Sequence, residues 1–447
     1  MEKIALKIKP TNALAENSFL RYFTFIVLYF SQGIPEGLTL FGIPAWMAMN
    51  GKSTEEISGY SAIVLIPFAF KILFAPVMER YSYLPMGKRR PWLLFGQFGI
   101  LCGLIALSFV PDPLNNVSLL ITSVLCLHVF IIFQDIATDS LVIDIVPLEQ
   151  QGKANSLMWG AKTVGTSVSL FIGSWLINNY GFSTAALLMS TSVCCIMFVP
   201  LLLRERNGEK LLPFTKGETS PEAKFLKVDS WFLLFKSFKQ VILLRNILLL
   251  TLIVFFITGT LHYMRTLFPI FTVKELGWSN IDYSKVFSTA SLLGGIVGML
   301  IGGFLIGRLG IIKLLQTCLF IAGLFAIIMA FSVSLWKINA YTSAFIGIFC
   351  VLITLINICV LALAMQVCWK RISALQFTFF MTIFNTGLSA GSALLGFLSA
   401  RFDWQIVLLI YAGIVFSTAL LLKLIKIEIH LNQVEILESK YLENKAN

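Results

Sequence analysis

The sequence predicts an all-α polytopic membrane protein in which twelve transmembrane helices form two pseudo-symmetric six-helix bundles. Hydrophobic residues make up 57% of the 447 residues, 13% are charged, and the mean hydropathy is +0.85. No soluble domain of this length has such a composition. Apolar runs of about twenty residues recur along the chain, and a helix needs this length to cross a hydrocarbon core of roughly 30 Å. One long polar segment near the middle divides these runs into two sets.

The basic residues are unevenly divided between alternate loops, and this predicts the orientation. If the amino terminus is cytoplasmic, the loops on that side carry most of the 34 Lys and Arg residues. The opposite loops carry Lys52, Lys274, Lys285, Lys337 and Arg401. Because positively charged loops stay on the cytoplasmic side, both termini are expected there. The formal charge of +11 therefore reflects orientation in the membrane, and we expect no binding to nucleic acid.

The first two predicted spans each contain an ionisable group within apolar sequence. The first contains QGIPEGL, in which Pro35 is expected to break the helix near mid-membrane and Gln32 shares a face with Glu36. The second contains Lys71, which either lines a cavity or extends to the cytoplasmic interface. Such groups are costly in a bilayer and mark candidate functional sites. The spans of the first bundle, apart from the fourth, are expected at about 19–49, 57–80, 92–110, 154–177 and 183–203.

The fourth predicted span contains the largest concentration of acids in apolar sequence. In HVFIIFQDIATDSLVIDIVP, His128, Asp135 and Asp139 are spaced i, i+7 and i+11 and fall on one stripe of a helix. Gln134 precedes the first acid, and Asp144 lies near the helix end. An acid at the bilayer centre costs roughly 2.5–3.5 kcal/mol. The stripe is therefore expected to face a cavity or a partner; the alternative is a position just inside the cytoplasmic interface.

The fifth predicted span offers a cation for these acids. Lys162 lies roughly two turns into it, on a face with Thr166, Ser169 and Gly173. It is a candidate counter-ion for Asp135 or Asp139, and the alternative is a structural ion pair without ligand contact.

A set of charged residues and one glycine lies at the predicted inner ends of the spans. Charge-assisted bonds between such residues could latch helix ends together. The members of this candidate inner gate are Glu79, Arg80, Gly87, Lys88, Arg89, Arg90, Asp144 and Arg308.

The second half resembles a diverged copy of the first, at an offset of about 223 to 226 residues. In this register Lys162 falls on Asn385. His262 and Arg265 lie about one turn apart in the seventh span, where Arg265 either binds an anionic substrate or extends to the outer headgroups. Asn385 is a further candidate for substrate contact, although amides in membrane helices also join neighbouring helices.

These patterns predict four parts of the chain. The amphipathic stretch Trp231–Val241 is expected to lie on the inner membrane face, and the final segment to be a frayed helix. The predicted parts are an amino-terminal bundle (1–203), a central cytoplasmic loop with an interfacial helix (204–245), a carboxy-terminal bundle (246–426) and a cytoplasmic tail (427–447).

Several classes of function are disfavoured by the sequence. The cysteines show no paired spacing for disulfides or zinc, and no GxxxxGK[ST] phosphate loop occurs. With few histidines and no nucleophile elbow, a membrane enzyme acting on lipid-linked glycans is a distant alternative. We expect a monomeric secondary transporter with no cofactor and no metal, coupled to protons, with sodium as the alternative coupling ion. Its partners would be membrane lipid and a small, anionic solute, since Lys71, Lys162 and Arg265 are cations within spans.

The motifs resemble those of a known family. GGFLIGRLG, with a matching basic turn after the second span, is similar to the inner-loop motif of the major facilitator superfamily. QGIPEGL, FKILFAPVMERY, MGKRRPWLL, QDIATDSLVIDIVP and QGKANSLMWGAKTVG are similar to AmpG-like muropeptide permeases and their acetyl-coenzyme A transporter relatives. Glu36 and Gly307 depart from the pattern, where an apolar residue and an acid are expected.

The resemblance implies a function and assigns positions. It implies proton-driven import of an anhydro-muropeptide across the bacterial inner membrane, with Lys71 on the FK position and Asp135, Asp139 and Asp144 on the acidic pattern. Related branches import siderophores. A siderophore, an acyl-coenzyme A or an exported drug therefore remain alternative cargoes.

Overall fold

The computed structural model describes residues 12–52, 54–278 and 280–446. Within these ranges, eleven helices are long and apolar enough to cross a membrane. The fifth predicted span is a further helix, Leu148–Tyr180, which is long enough but more polar than the others. The eleven spans are Ser18–Met47, Gly59–Arg80, Arg90–Ser108, Val117–Ile145, Phe182–Leu202, Arg245–Val273, Lys285–Leu309, Ile311–Phe331, Asn339–Gln366, Lys370–Ser399 and Trp404–Leu424.

The first span is interrupted where the sequence predicts it. The α-helix Ser18–Glu36 contains Pro35 and passes into a π-helical stretch, Gly37–Gly42, before Ile43–Met49 continues. Proline has no N–H to donate, so the ladder of backbone bonds must change locally. The Thr39 hydroxyl donates to the Pro35 carbonyl over 2.7 Å.

The second span consists of three helical pieces, Thr54–Val64, Ile66–Ala69 and Lys71–Arg80. Pro67 stands at the start of the short middle piece, where a missing N–H is tolerated. The breaks place Lys71 at the first residue of a new helix.

Close packing against glycines fixes the fourth span beside the third. A Cβ on Gly96 would lie 2.5 Å from the Gln134 backbone nitrogen, and one on Gly103 would lie 2.9 Å from Leu127. Larger residues would push the helices apart. The glycines therefore set the position of the acid-bearing helix within its bundle.

The chain divides into two compact units. The first comprises the described residues up to Val146 together with Val168–Asp229, and the second comprises Pro147–Ser167 and the chain from Ser230 onward. The second unit thus contains the amino-terminal half of the fifth helix, which the predicted boundaries place in the first bundle. Small residues explain this: Gly160 packs against Met299, and Gly152 packs against Ile306.

The amphipathic helix spans Trp231–Ile242, close to its predicted bounds. Its amino terminus is capped by the Ser230 hydroxyl, which accepts from the Leu233 N–H over 3.1 Å. Leu234 and Val241 are buried, whereas Phe232 is exposed. This division of faces suits a helix at a membrane surface.

We expected the final segment to be a frayed helix, and this expectation is wrong. The tail helix, Ile427–Ala446, is docked against the rest of the second unit. The His430 Nε2–H donates to the Val367 carbonyl over 2.8 Å, and Glu438 forms an ion pair with the fully buried Arg371. Trp369 donates its indole N–H to the same carboxylate over 2.5 Å. A buried guanidinium needs a counter-charge, and the tail supplies it.

Candidate functional site

Three spans of the first unit bring four ionisable side chains together. The Lys71 ammonium pairs with Asp135, and its Nζ lies 3.9 Å from Asp139 Oδ2. The Tyr29 hydroxyl donates to the other oxygen of Asp139. The exposed fraction of the side chain is 4% for Lys71, 3% for Asp139 and 14% for Asp135. We call Tyr29, Lys71, Asp135 and Asp139 the core ion cluster.

The position of Lys71 corrects one interpretation of the sequence. Extension to the cytoplasmic interface is one of the two expectations for this residue, but the ammonium pairs with Asp135 instead. The break at Phe70 sets this direction because it starts a new helix at Lys71. Since an unpaired ammonium in a bilayer is costly, pairing with two acids stabilises the inward position.

The side-chain amides beside the core ion cluster are buried with incomplete hydrogen bonding. Neither amide atom of Gln32 has a partner among the described residues. Gln134 donates its Nε2–H to the Leu28 carbonyl over 3.2 Å, while its Oε1 lacks a partner within the same ranges. Buried polar atoms usually have partners, so these atoms are available to a ligand or to water. Glu36, half-buried on the same helix, lies within electrostatic range of Tyr29.

His128 belongs to the predicted acidic stripe, but both nitrogens of its ring have partners within the fold. Its Nδ1 lies 2.6 Å from the Val64 carbonyl oxygen, and its Nε2 lies 2.9 Å from the Thr39 hydroxyl. The residue is completely buried. It joins the first, second and fourth spans and serves packing.

A second ion cluster joins the ends of the second and fourth spans. Arg89 donates from Nε to Asp144 Oδ2 over 2.8 Å and from Nη2 to both Glu79 oxygens over 3.0 Å. Lys88 Nζ lies 2.9 Å from Glu79 Oε2. All four side chains are almost completely buried. We call Glu79, Lys88, Arg89 and Asp144 the inner ion cluster.

Burial and neighbouring charges oppose each other in this cluster. Burial lowers the pKa of Lys88, and the adjacent Arg89 lowers it further, against the carboxylates of Glu79 and Asp144. For Arg89 burial also disfavours the cation, but the carboxylates outweigh it and the pKa rises. With two cations and two anions, the cluster is balanced.

Glu205 completes this region and was missed by sequence reasoning. Its Oε2 accepts from the backbone N–H of Arg89 over 2.9 Å and of Arg90 over 3.2 Å. Gly87 has a φ of +100°, and a Cβ there would lie 2.5 Å from Glu205 Oε2. No local pattern distinguishes Glu205 from other acids of the central loop, because its role depends on residues more than a hundred positions away.

The other members of the candidate inner gate lie outside the cluster. The Arg90 guanidinium donates to the Pro200 and Leu201 carbonyls, each over 2.9 Å. Arg80 lies over the Tyr81 ring, 5.4 Å from its centroid. Arg308 is exposed in the last turn of its helix.

The candidate residues of the second unit form a looser polar group. His262 Nδ1 lies 3.1 Å from the Ser392 hydroxyl, which also lies 2.9 Å from the Thr266 hydroxyl. Asn385 lies on the same helix as Ser392 and is half-buried, and Arg265 is exposed.

Lys162 also belongs to the second unit. Its Nζ lies 5.9 Å from the centroid of the Trp159 ring. Its pairing with the acids of the fourth span stays a prediction.

The comparison with family sequence models identifies the chain. A model described as Major Facilitator Superfamily matches residues 22–391. The chain belongs to the major facilitator superfamily. It is therefore a multi-pass membrane transporter of a small molecule and not an enzyme.

Curated relatives and solved structures agree with this assignment. The chain is 25% identical over 373 residues to the "Anhydromuropeptide permease" of Escherichia coli K12, covering 81% of this chain and 71% of that one. It is 22% identical to "Putative transporter AmpG 1" of Rickettsia bellii, covering 80% and 87%.

The solved structures show the same fold at low sequence identity. The E. coli fucose:proton symporter FucP superposes with a TM-score of 0.68 at 13% identity, covering 91% of this chain and 98% of that one. The human organic anion transporter MFSD10 gives 0.64 at 12% identity, covering 93% and 100%.

Proposed function

We propose that this transporter imports an anhydro-muropeptide, or an anionic solute of similar chemistry, together with a proton across the bacterial cytoplasmic membrane. The core ion cluster is the observation that carries the proposal. The similarity to the anhydromuropeptide permease of E. coli and the sequence motifs support the cargo. No cofactor is required, because the proton gradient supplies the energy.

The charge balance of the core ion cluster suits proton coupling. When all groups are ionised, the two carboxylates Asp135 and Asp139 share the single ammonium of Lys71. Uptake of one proton brings the cluster to neutrality, which lowers the cost of burying it. Asp139 is held by the Tyr29 hydroxyl, and Asp135 is the more exposed acid. Asp135 is therefore the proposed proton carrier.

The arrangement of charges also supports an orientation. The inner ion cluster and the basic central loop belong on the cytoplasmic side, together with both termini, according to the distribution of Lys and Arg. On this side the inner ion cluster would act as a latch between helix ends during alternating access.

The test is uptake of a labelled anhydro-muropeptide by purified protein in liposomes, with an imposed gradient that is acidic outside. The gradient is expected to raise initial uptake several-fold. Asp135→Asn is expected to remove this dependence, because an amide cannot exchange a proton. Asp112→Asn is the matched control, since this acid is exposed in a loop.

Three results would overturn parts of the proposal. Uptake that does not depend on the proton gradient would contradict proton coupling. A requirement for sodium would show that sodium is the coupling ion. Uptake of a siderophore or an acyl-coenzyme A, but not of a muropeptide, would contradict the proposed cargo.

A further inference from the structure

Arg265 lies within the bilayer part of the seventh span and remains exposed. Its helix runs from Arg245 to Lys274. At 1.5 Å per residue, Arg265 is roughly 14 Å from the carboxyl end of that helix. A cation at this depth needs a partner, a water-filled cavity or a path to the headgroups.

Acidic residues are absent from six spans of the second unit. These spans, from Arg245–Val273 to Trp404–Leu424, contain neither Asp nor Glu, whereas Asp282 lies in the first turn before the eighth span and Glu149 in the first turn of the fifth helix. Arg265 forms no ion pair with any residue that the structure describes, whereas Lys71 in the first unit has two acids beside it. The counter-charge of Arg265 must therefore come from elsewhere, because an uncompensated cation inside a bilayer is costly.

The neighbours of Arg265 argue against extension to the headgroups. Its guanidinium is within electrostatic range of Tyr283 on the eighth span helix and of Cys350 on the tenth. Cys350 is buried, and at 1.5 Å per residue it lies roughly 17 Å from the start of its helix at Asn339. Electrostatic interaction with groups at this depth favours a guanidinium that remains among the helices.

Hydroxyl groups adjoin the cation. Thr266 follows it in the chain and shares a hydrogen bond with Ser392. His262, one turn earlier, also contacts Ser392 and is within electrostatic range of Arg265. The Arg265 guanidinium itself makes no hydrogen bond with any residue that the structure describes. Guanidinium groups bind carboxylates through two parallel hydrogen bonds.

We infer that Arg265 anchors an anion subsite of the second unit, on the helix that also carries His262 one turn earlier, and that this subsite binds a carboxylate of the transported solute. The inference rests on the proposed function and specifies which unit recognises the anion. The acids of the first unit would then carry the proton, and the cation of the second unit would bind the negatively charged group of the substrate. This division keeps the coupling acid and the substrate's carboxylate from competing for one cation.

The test measures binding of two probes to purified protein at fixed pH and ionic strength. One probe is an anhydro-muropeptide with free peptide carboxylates, and the other is the same molecule with those carboxylates amidated. The wild type is expected to bind the free acid about 10- to 100-fold more tightly, as for a hydrogen-bonded charge pair. Arg265→Gln should lose this preference and Arg265→Lys should keep part of it.

A matched control separates the subsite from a general loss of positive charge. Arg401 is an exposed arginine of the same unit that lies over the Phe397 ring, 3.7 Å from its centroid. Arg401→Gln should keep the full preference. Size-exclusion profiles and thermal midpoints confirm that each variant is folded.

Each remaining result contradicts a defined part of the inference. Equal binding of both probes by the wild type overturns the subsite but leaves the proposed function intact. A preference that persists in Arg265→Gln overturns the role of this residue. Binding of neither probe overturns the muropeptide and the subsite together. Competition by inorganic phosphate that is stronger than competition by acetate, and that Arg265→Gln abolishes, would replace the carboxylate with a phosphate.

Discussion

Replacing Asp144 by asparagine should destabilise the first unit strongly. The change preserves the shape of the side chain but removes one of the two negative charges that balance Lys88 and Arg89. The exposed fraction of the Arg89 and Asp144 side chains is 0%, so water cannot compensate. Removing one partner from a buried ion pair costs about 3–5 kcal/mol. At about 2–4 °C per kcal/mol, the thermal midpoint should fall by roughly 6–20 °C.

The assay is thermal unfolding of purified protein in detergent, followed by intrinsic fluorescence. Asp112→Asn, an exposed change in the same unit, should stay within about 0.5 kcal/mol of the wild type. The double variant Asp144→Asn/Lys88→Met restores the charge balance and should recover part of the loss. If Asp144→Asn behaves like Asp112→Asn, or the double variant is no better than the single one, the charge-balance argument is refuted.

Two further predictions concern the central loop and the turn that it contacts. Burial, reinforced by repulsion from Glu205, raises the pKa of Glu209 from 4.5 to about 7. The folded state therefore binds the proton more tightly than the unfolded state. This contribution to stability is fully present below pH 4.5 and is lost as the pH rises through 7. Glu209→Gln should remove this part of the pH dependence, up to roughly 3 kcal/mol, and identical midpoint-against-pH curves for variant and wild type would contradict the assignment. Gly87→Ala should lower the midpoint more than Gly181→Ala. Both positions have positive φ, but only at Gly87 would the new Cβ meet another side chain, so equal effects would show that backbone strain alone matters.

The core ion cluster was only partly predictable. The spacing of Asp135 and Asp139 predicted a shared face, because helical periodicity is a local property. The partner of these acids was not predictable, since Lys71 lies 64 residues from Asp135. Its direction depends on a break at Phe70 that the proline positions only suggest.

The inner ion cluster shows the same division. The charged residues after the second span and Asp144 were recognisable as a candidate gate from their place at helix ends. Glu205 was not, because it reaches Arg89 from a loop 116 positions away. The docking of the tail through Glu438 and Arg371 was likewise not predictable, because the composition of the tail resembles that of a solvated helix.

The sequence by itself determined that this chain is a membrane protein, where its spans lie and which superfamily it resembles. Hydropathy, span length and short motifs are local, and the bilayer forces each span to satisfy its backbone bonds internally. Only the tertiary structure decided which charged residues form ion pairs with each other. Ion pairs join residues from separate helices, so they depend on helix breaks and on glycine contacts that bring distant side chains within a few ångströms of each other.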